Sequence, residues 1–141
     1  MRYFEDHAVG QRSAFGRYEV ERDEVIAFAA KYVPLSAHLD DDDLVASGWH
    51  VCAMMVRMVV DDFSRAGSAA IGSPGFDGLR WLAPVRPGDI LSVEDEVIEM
   101  RPSRSRADIG SVHTRVTVLN QHAQPVLRIG TIALVRRRPA V

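Results

Sequence analysis

The sequence predicts an α+β domain in which a curved antiparallel sheet wraps one long central helix, and three observations carry that expectation. Between Trp49 and Arg65, the residues Val51, Met54, Met55, Met58, Val59 and Phe63 recur at helical spacing and form a wide apolar stripe. From Phe76 onward the pattern changes to runs rich in Val, Ile and Leu separated by turn residues, as expected of strands. The length of 141 residues suits one domain over 1–141, which buries roughly two-thirds of its unfolded surface without disulfides or a metal.

Taken in order, a first strand is expected at about Gln11 to Val20. A short helix follows from Asp23 to Lys31, with Val25, Ile26, Phe28 and Ala29 sharing a face and Pro34 stopping it. Ser47 and Gly48 mark the start of the long helix and Gly67 its end. Four strands are predicted beyond it: Phe76 to Leu82, Asp89 to Met100, Ile109 to Leu119 and Val126 to Arg136. In the third of these, Val112, Thr114, Val116 and Val118 alternate with Ser111, His113, Arg115 and Thr117, the pattern of an antiparallel strand with one wet face. Pro84 to Asp89 reads as a turn between strands, and Asn120 to Ala123 as a hairpin. A helix apolar over so wide an arc needs cover on most sides, and a curved antiparallel sheet supplies it: this is the hot-dog architecture. Its open sheet edge and its partly uncovered helix predict a homodimer.

Composition narrows the function classes. Charged residues make up 26% of the chain and hydrophobic residues 47%, which fits neither disorder nor a membrane-embedded protein. A net charge of −2 argues against nucleic acid as a partner, because binding to phosphate draws on a basic excess. The longest apolar run, Val51 to Val60, is too short to span a bilayer and contains Arg57. The single Cys52 cannot form an intramolecular disulfide, and the first ten residues lack a signal-peptide pattern, so a cytoplasmic location is expected.

Several residues carry chemistry that spacing alone leaves open. His38 has an imidazole able to move a proton near neutral pH, and it could equally be a structural loop histidine. The run Asp40 to Asp43 reads as a solvated helix start, with catalysis as the sharper alternative and no turn glycine for a calcium loop. Arg101, Arg104 and Arg106, with Ser103 and Ser105, either grip phosphates or form a solvated turn, and Arg136 to Arg138 share that ambiguity. Cys52 lies in an apolar helix and packs as a small hydrophobe. His7, His113 and His122 share no metal-ligand spacing with it or with one another, so no metal or other cofactor is implied.

Three groups of residues bring a known family into view: Tyr3-Phe4-Glu5-Asp6 with Val9-Gly10; Ala46-Ser47-Gly48-Trp49-His50; and Leu79-Arg80-Trp81-Leu82 followed by Pro84-Val85-Arg86-Pro87-Gly88-Asp89. Along nearly its whole length the chain resembles the MaoC-like hydratases and dehydratases, including the (R)-specific enoyl-CoA hydratases. That resemblance implies a lyase of acyl-CoA or acyl-carrier thioesters, at home in fatty-acid metabolism, whose substrate lies in a tunnel near a dimer interface. It also implies an Asp/His pair just after the first helix that adds water to a trans-2-enoyl group or removes it. Here Pro34 and His38 match the pattern, Val33 stands where the acid is expected, and the connection from His38 to Ser47 is shorter than usual by roughly two helical turns.

Such chemistry needs a water made nucleophilic, a proton for the α-carbon and stabilisation of charge on the thioester oxygen. The expected site therefore takes His38 as acid/base, the helix start at Gly48 and Trp49 as oxygen-binding amides, and Val33, Ser36 and His50 as pocket residues. Gly48 is alternatively a simple turn residue, and His50 a space-filler. The absent acid keeps two other readings open: a non-catalytic acyl-thioester binding or dimerisation module, and a hot-dog thioesterase, which rests on fold analogy.

Overall fold

A computed structural model describes residues 1–35 and 43–141. Among them are six strands, β1 (Arg12–Glu19), β2 (Ala70–Gly72), β3 (Phe76–Trp81), β4 (Ile90–Pro102), β5 (Ile109–Leu119) and β6 (Pro125–Arg136), and two helices, α1 (Arg22–Tyr32) and α2 (Gly48–Ala66). A 3-10 turn at Phe4–Asp6 precedes β1. The strands form one antiparallel sheet ordered β1-β4-β5-β6-β2, with β3 also paired to β6. It curls around α2, which is the hot-dog arrangement. The sequence reading missed β2, because three residues are too few for an alternation to show.

The sheet presents its apolar side chains to α2 in register. Val93 lies opposite Val118, Val118 opposite Leu127 and Val116 opposite Ile129, so the inward positions of β4, β5 and β6 coincide. With Leu91 they close over Val51, Met54, Met55 and Met58 of α2 to form the main core. A smaller cluster of Phe4, Ala69, Val97, Val112 and Val135 fills the end near the close of α2. The expected alternation of β5 holds, with Val112, Val116 and Val118 buried and Arg115 exposed.

β1 carries an irregularity at Gly16. The pairing of β1 with β4 shifts register between Phe15 and Tyr18, and Gly16 has φ +84°, a conformation that side chains with a Cβ resist. A Cβ built there would meet Met58 Sδ at 2.8 Å. The bulge therefore lets β1 bend over the helix and lets Met58 seat against bare backbone.

α2 has 19 residues, about 28 Å of helix. Ser47 caps its start and Gly67, in the left-handed conformation, ends it, as the sequence predicts. One stripe of this helix stays uncovered: Trp49, Val56, Val60 and Phe63 are all exposed. Among the described residues no helix is long and apolar enough to cross a membrane.

Replacing Gly16 by Ala is expected to destabilise the fold by about 1–3 kcal/mol, through strained φ and the Met58 contact together. Urea unfolding checks this, with a lower midpoint at unchanged m-value as the expected outcome.

Candidate active site

The first turn of α2 is held by side chains from outside the helix. The helical ladder begins with the Val51 N–H on the Ser47 carbonyl at 3.0 Å, so the amides of Gly48, Trp49 and His50 have no helical acceptor. Ser47 Oγ accepts from the Trp49 amide at 3.3 Å. From β3, the Trp81 indole donates its Nε1–H to the Gly48 carbonyl at 2.9 Å, and its ring meets Trp49 edge-on, with centroids 5.2 Å apart. A Cβ on residue 48 would lie 2.5 Å from Trp81 Cε2. The indole lying against it is what requires glycine here.

The turn before β4 anchors the same end of the molecule. Gly88 donates to the Val20 carbonyl and Val20 to that of Asp89, while Ala46, just before α2, donates to Val85. Asp89 accepts from the Arg86 backbone and from the Gln121 side chain, tying in the β5–β6 hairpin. Three connections thus converge on Pro84–Asp89, and beside them opens a cavity of about 600 Å³. Val33, Val45, Ser47, Gly48, Trp49 and Trp81 are among its lining residues.

Of the residues expected in the site, Val33, Gly48 and Trp49 come together at this cavity. Val33 caps the end of α1, so the structure brings both ends of the 34–46 connection to one place. Ser36 and His38, with Asp40 to Asp42, lie outside the described residues. Asp43 is exposed and pairs with Arg86 at 2.9 Å. Cys52 is half-buried and burial pushes its thiol pKa up, the state of an unreactive packed thiol.

Arg101, Arg104 and Arg106 sit elsewhere. β4 starts beside the cavity and runs away from it, so the β4–β5 turn falls near Phe4 and the close of α2, at the far end of the helix. There Arg101 pairs with Glu99 at 2.6 Å and Arg106 with Asp108 at 2.7 Å. Within one chain these arginines are remote from the cavity. The terminal arginines are likewise engaged: the Arg138 backbone amide and the Arg137 side chain hold the Glu5 carboxyl down to about 2.

His50 also departs from its expected place. At about 100° per residue it points some 200° around α2 from Gly48, towards α1 and away from the cavity. It is 3% exposed, and its Nε2 lies 2.9 Å from Glu24 Oε1. Phe28 stacks on the ring at 4.6 Å, and the Tyr18 hydroxyl donates to the same Glu24 oxygen. The Tyr18 hydroxyl first, then His50, lowers the Glu24 pKa, while burial first and then Glu24 push Tyr18 up to about 12. The other ring nitrogen, His50 Nδ1, is buried without a hydrogen-bond partner among the described residues. Sequence reasoning missed this cluster because Glu24 and His50 are 26 positions apart and share no motif.

Among the described residues no three His, Cys, Asp or Glu side chains converge as a metal-ligand set. No family model matches the chain. A MaoC-like dehydratase from Rhodospirillum rubrum does: it is 35% identical, superposes with a TM-score of 0.89, and the match covers 99% of this chain and 100% of that one. The chain belongs to the MaoC-like dehydratases. A mesaconyl-CoA hydratase from Cereibacter sphaeroides is 38% identical over 69 residues, which are 49% of this chain and 20% of that protein. A Mycobacterium tuberculosis protein with a double hot-dog fold, 21% identical, superposes at TM-score 0.78; the match takes 99% of this chain and 46% of its own length.

In this member of the family, the cavity combines apolar walls with a helix start whose backbone N–H groups and positive dipole end favour a partly negative oxygen. Helix propensity alone favours Ala over Gly by about 1 kcal/mol, so Gly48→Ala separates two roles for this glycine. The indole contact predicts a loss of about 1–3 kcal/mol in urea unfolding with altered tryptophan fluorescence, whereas a gain in stability would mean that Trp81 does not pack there.

Proposed function

We propose that this MaoC-like chain adds water to, or removes it from, an enoyl thioester of CoA or an acyl carrier. In the hydration direction His38 takes a proton from water as the oxygen bonds to the β-carbon. The π-electrons of the double bond move through the α-carbon onto the thioester oxygen, and the Gly48 and Trp49 amides face that oxygen. The imidazolium then returns its proton to the α-carbon, so one water is consumed and no other reactant is needed. The observation that carries this reading is the cavity joining Val33, at the end of α1, to the first turn of α2, whose amides have no helical acceptor. The full-length dehydratase relative and the partial CoA-hydratase relative support the reaction class.

Val33 in the lining favours a second reading, a thioester-binding module without turnover, because a valine side chain neither holds a proton nor orients a water. A single remaining imidazole must both accept and return the proton, which suits a slow hydratase. Among the described residues Cys52 does not favour the thioesterase alternative, being half-buried with its thiol pKa pushed up by burial.

A second copy of the chain is proposed to cover the exposed stripe Trp49, Val56, Val60 and Phe63. The double hot-dog relative supports this, since one such fold spans only 46% of its length. The cavity shares Trp49 with that stripe, so the site would adjoin the seam between protomers.

Crotonyl-CoA hydration is expected for the wild type, with His38→Ala lowering kcat by roughly 10²–10⁴ and Val33→Asp raising it. Binding without turnover in every variant would establish the module instead, release of free thiol the esterase, and brisk wild-type hydration with Val33→Asp inert would move the acid elsewhere. Separately, Val60→Glu is expected to shift sedimentation from dimer to folded monomer, a charge on the buried seam costing several kcal/mol of association.

A further inference from the structure

Three elements without a common motif meet at one buried imidazole. His50 is the third residue of α2, Glu24 lies in the first turn of α1, and Tyr18 belongs to β1. Glu24 accepts from both His50 Nε2, at 2.9 Å, and the Tyr18 hydroxyl, while Phe28 stacks on the imidazole with 7° between planes. This cluster borders a hollow on the α1 side, and none of its members lines the cavity beside Gly48. It therefore has no direct part in the proposed chemistry.

Its place on the helix gives it an indirect one. No helical hydrogen bond reaches back from the amides of Gly48, Trp49 and His50, so side-chain anchors decide how this turn is oriented. Trp81 holds the turn at the Gly48 carbonyl from one side. Glu24 holds it at His50 from the other. Both anchors act on the turn whose first three amides have no helical acceptor, and Glu24 lies on the same helix that Val33 terminates. We propose that His50, gripped by Glu24 and Tyr18, is a positioning residue that sets the angle of the first α2 turn and so aims the Gly48 and Trp49 amides into the cavity. The kinetic half of this inference rests on the enoyl-thioester reading; the structural half does not.

The test uses His50→Ala, His50→Gln, Glu24→Ala, Tyr18→Phe and the Glu24/His50 double alanine variant in the full chain. Gln retains an N–H donor near Nε2. Misaimed amides are expected to lower kcat about ten-fold in His50→Ala while KM stays within about two-fold, because a small misplacement weakens contacts that form fully only in the transition state. His50→Gln is expected to recover most of that loss, Tyr18→Phe to show a smaller one, and the double variant to be no slower than the worse single. A readout independent of catalysis is the Trp81 indole N–H, one of only two tryptophan indoles in the chain. Its hydrogen exchange by NMR should accelerate in His50→Ala and return toward wild type in His50→Gln, with the exposed Trp49 indole as reference.

The inference is overturned by a rise in KM at constant kcat, by additive losses in the double variant, or by an unchanged Trp81 indole in a folded His50→Ala protein. If His50→Ala does not fold, Tyr18→Phe and His50→Gln decide, and wild-type values in the former with no recovery in the latter count against it. Absence of wild-type turnover on enoyl thioesters refutes the reaction instead, and the indole measurement then judges the positioning role alone.

Discussion

α2 is the element that every other part of the fold must accommodate. Its inward stripe of Val51, Met54, Met55 and Met58 is too wide for a flat surface to cover, so the sheet has to curl. Curling demands a strand that bends, and Gly16 bends β1 where Met58 arrives. The same curl brings the starts of β4 and α2 to one end of the molecule and the β4–β5 turn to the other. Where a ligand can lie is thus already limited by how the helix is desolvated.

At the cavity end the first amides of the helix have no helical partners, and the turn is held by anchors at unequal distances. The Trp81 bond to the Gly48 carbonyl is short, whereas the Ser47 cap on the Trp49 amide is long at 3.3 Å. A weak cap is consistent with an amide that can be given up to a better acceptor, since a charge-bearing oxygen makes a hydrogen bond roughly twice as strong as a neutral hydroxyl does. On the opposite side the buried His50 is fixed by an ionised Glu24, a charge-assisted contact within reach of water on the Glu24 side. Burying both partners would have incurred the larger desolvation cost of a closed ion pair.

Periodicity made most of the architecture legible. The stripe of α2, the alternation of β5 and the Pro84–Asp89 turn all follow from local patterns, and each reappears with close boundaries. Local patterns do not report partners. Nothing near Glu24 says that it faces a histidine 26 residues away, and nothing near Gly48 says that an indole from β3 will lie against it. The helical wheel does separate His50 from Gly48, but adjacency in the motif Ser47-Gly48-Trp49-His50 suggested one pocket for both. The arginine turn follows the same rule: its charge is visible in the sequence, whereas its end of the sheet becomes visible only with the strand directions.

Val33 is where sequence and structure constrain each other most. The cavity it faces is lined by Val45, Ala46, Trp81 and Leu82, an environment in which a lone carboxylate would be desolvated and its pKa raised. An acid is tolerable there only if a nearby imidazole shares its proton or its charge, so the two members of such a pair support each other energetically as well as chemically. Valine in that lining removes the desolvation cost along with the proton donor. What is left is an apolar lining beside the helix start, and under the proposed reaction a single imidazole and that helix start would share the chemistry. Under that proposal, the balance between binding and turnover would depend on how accurately the first amides of α2 are aimed.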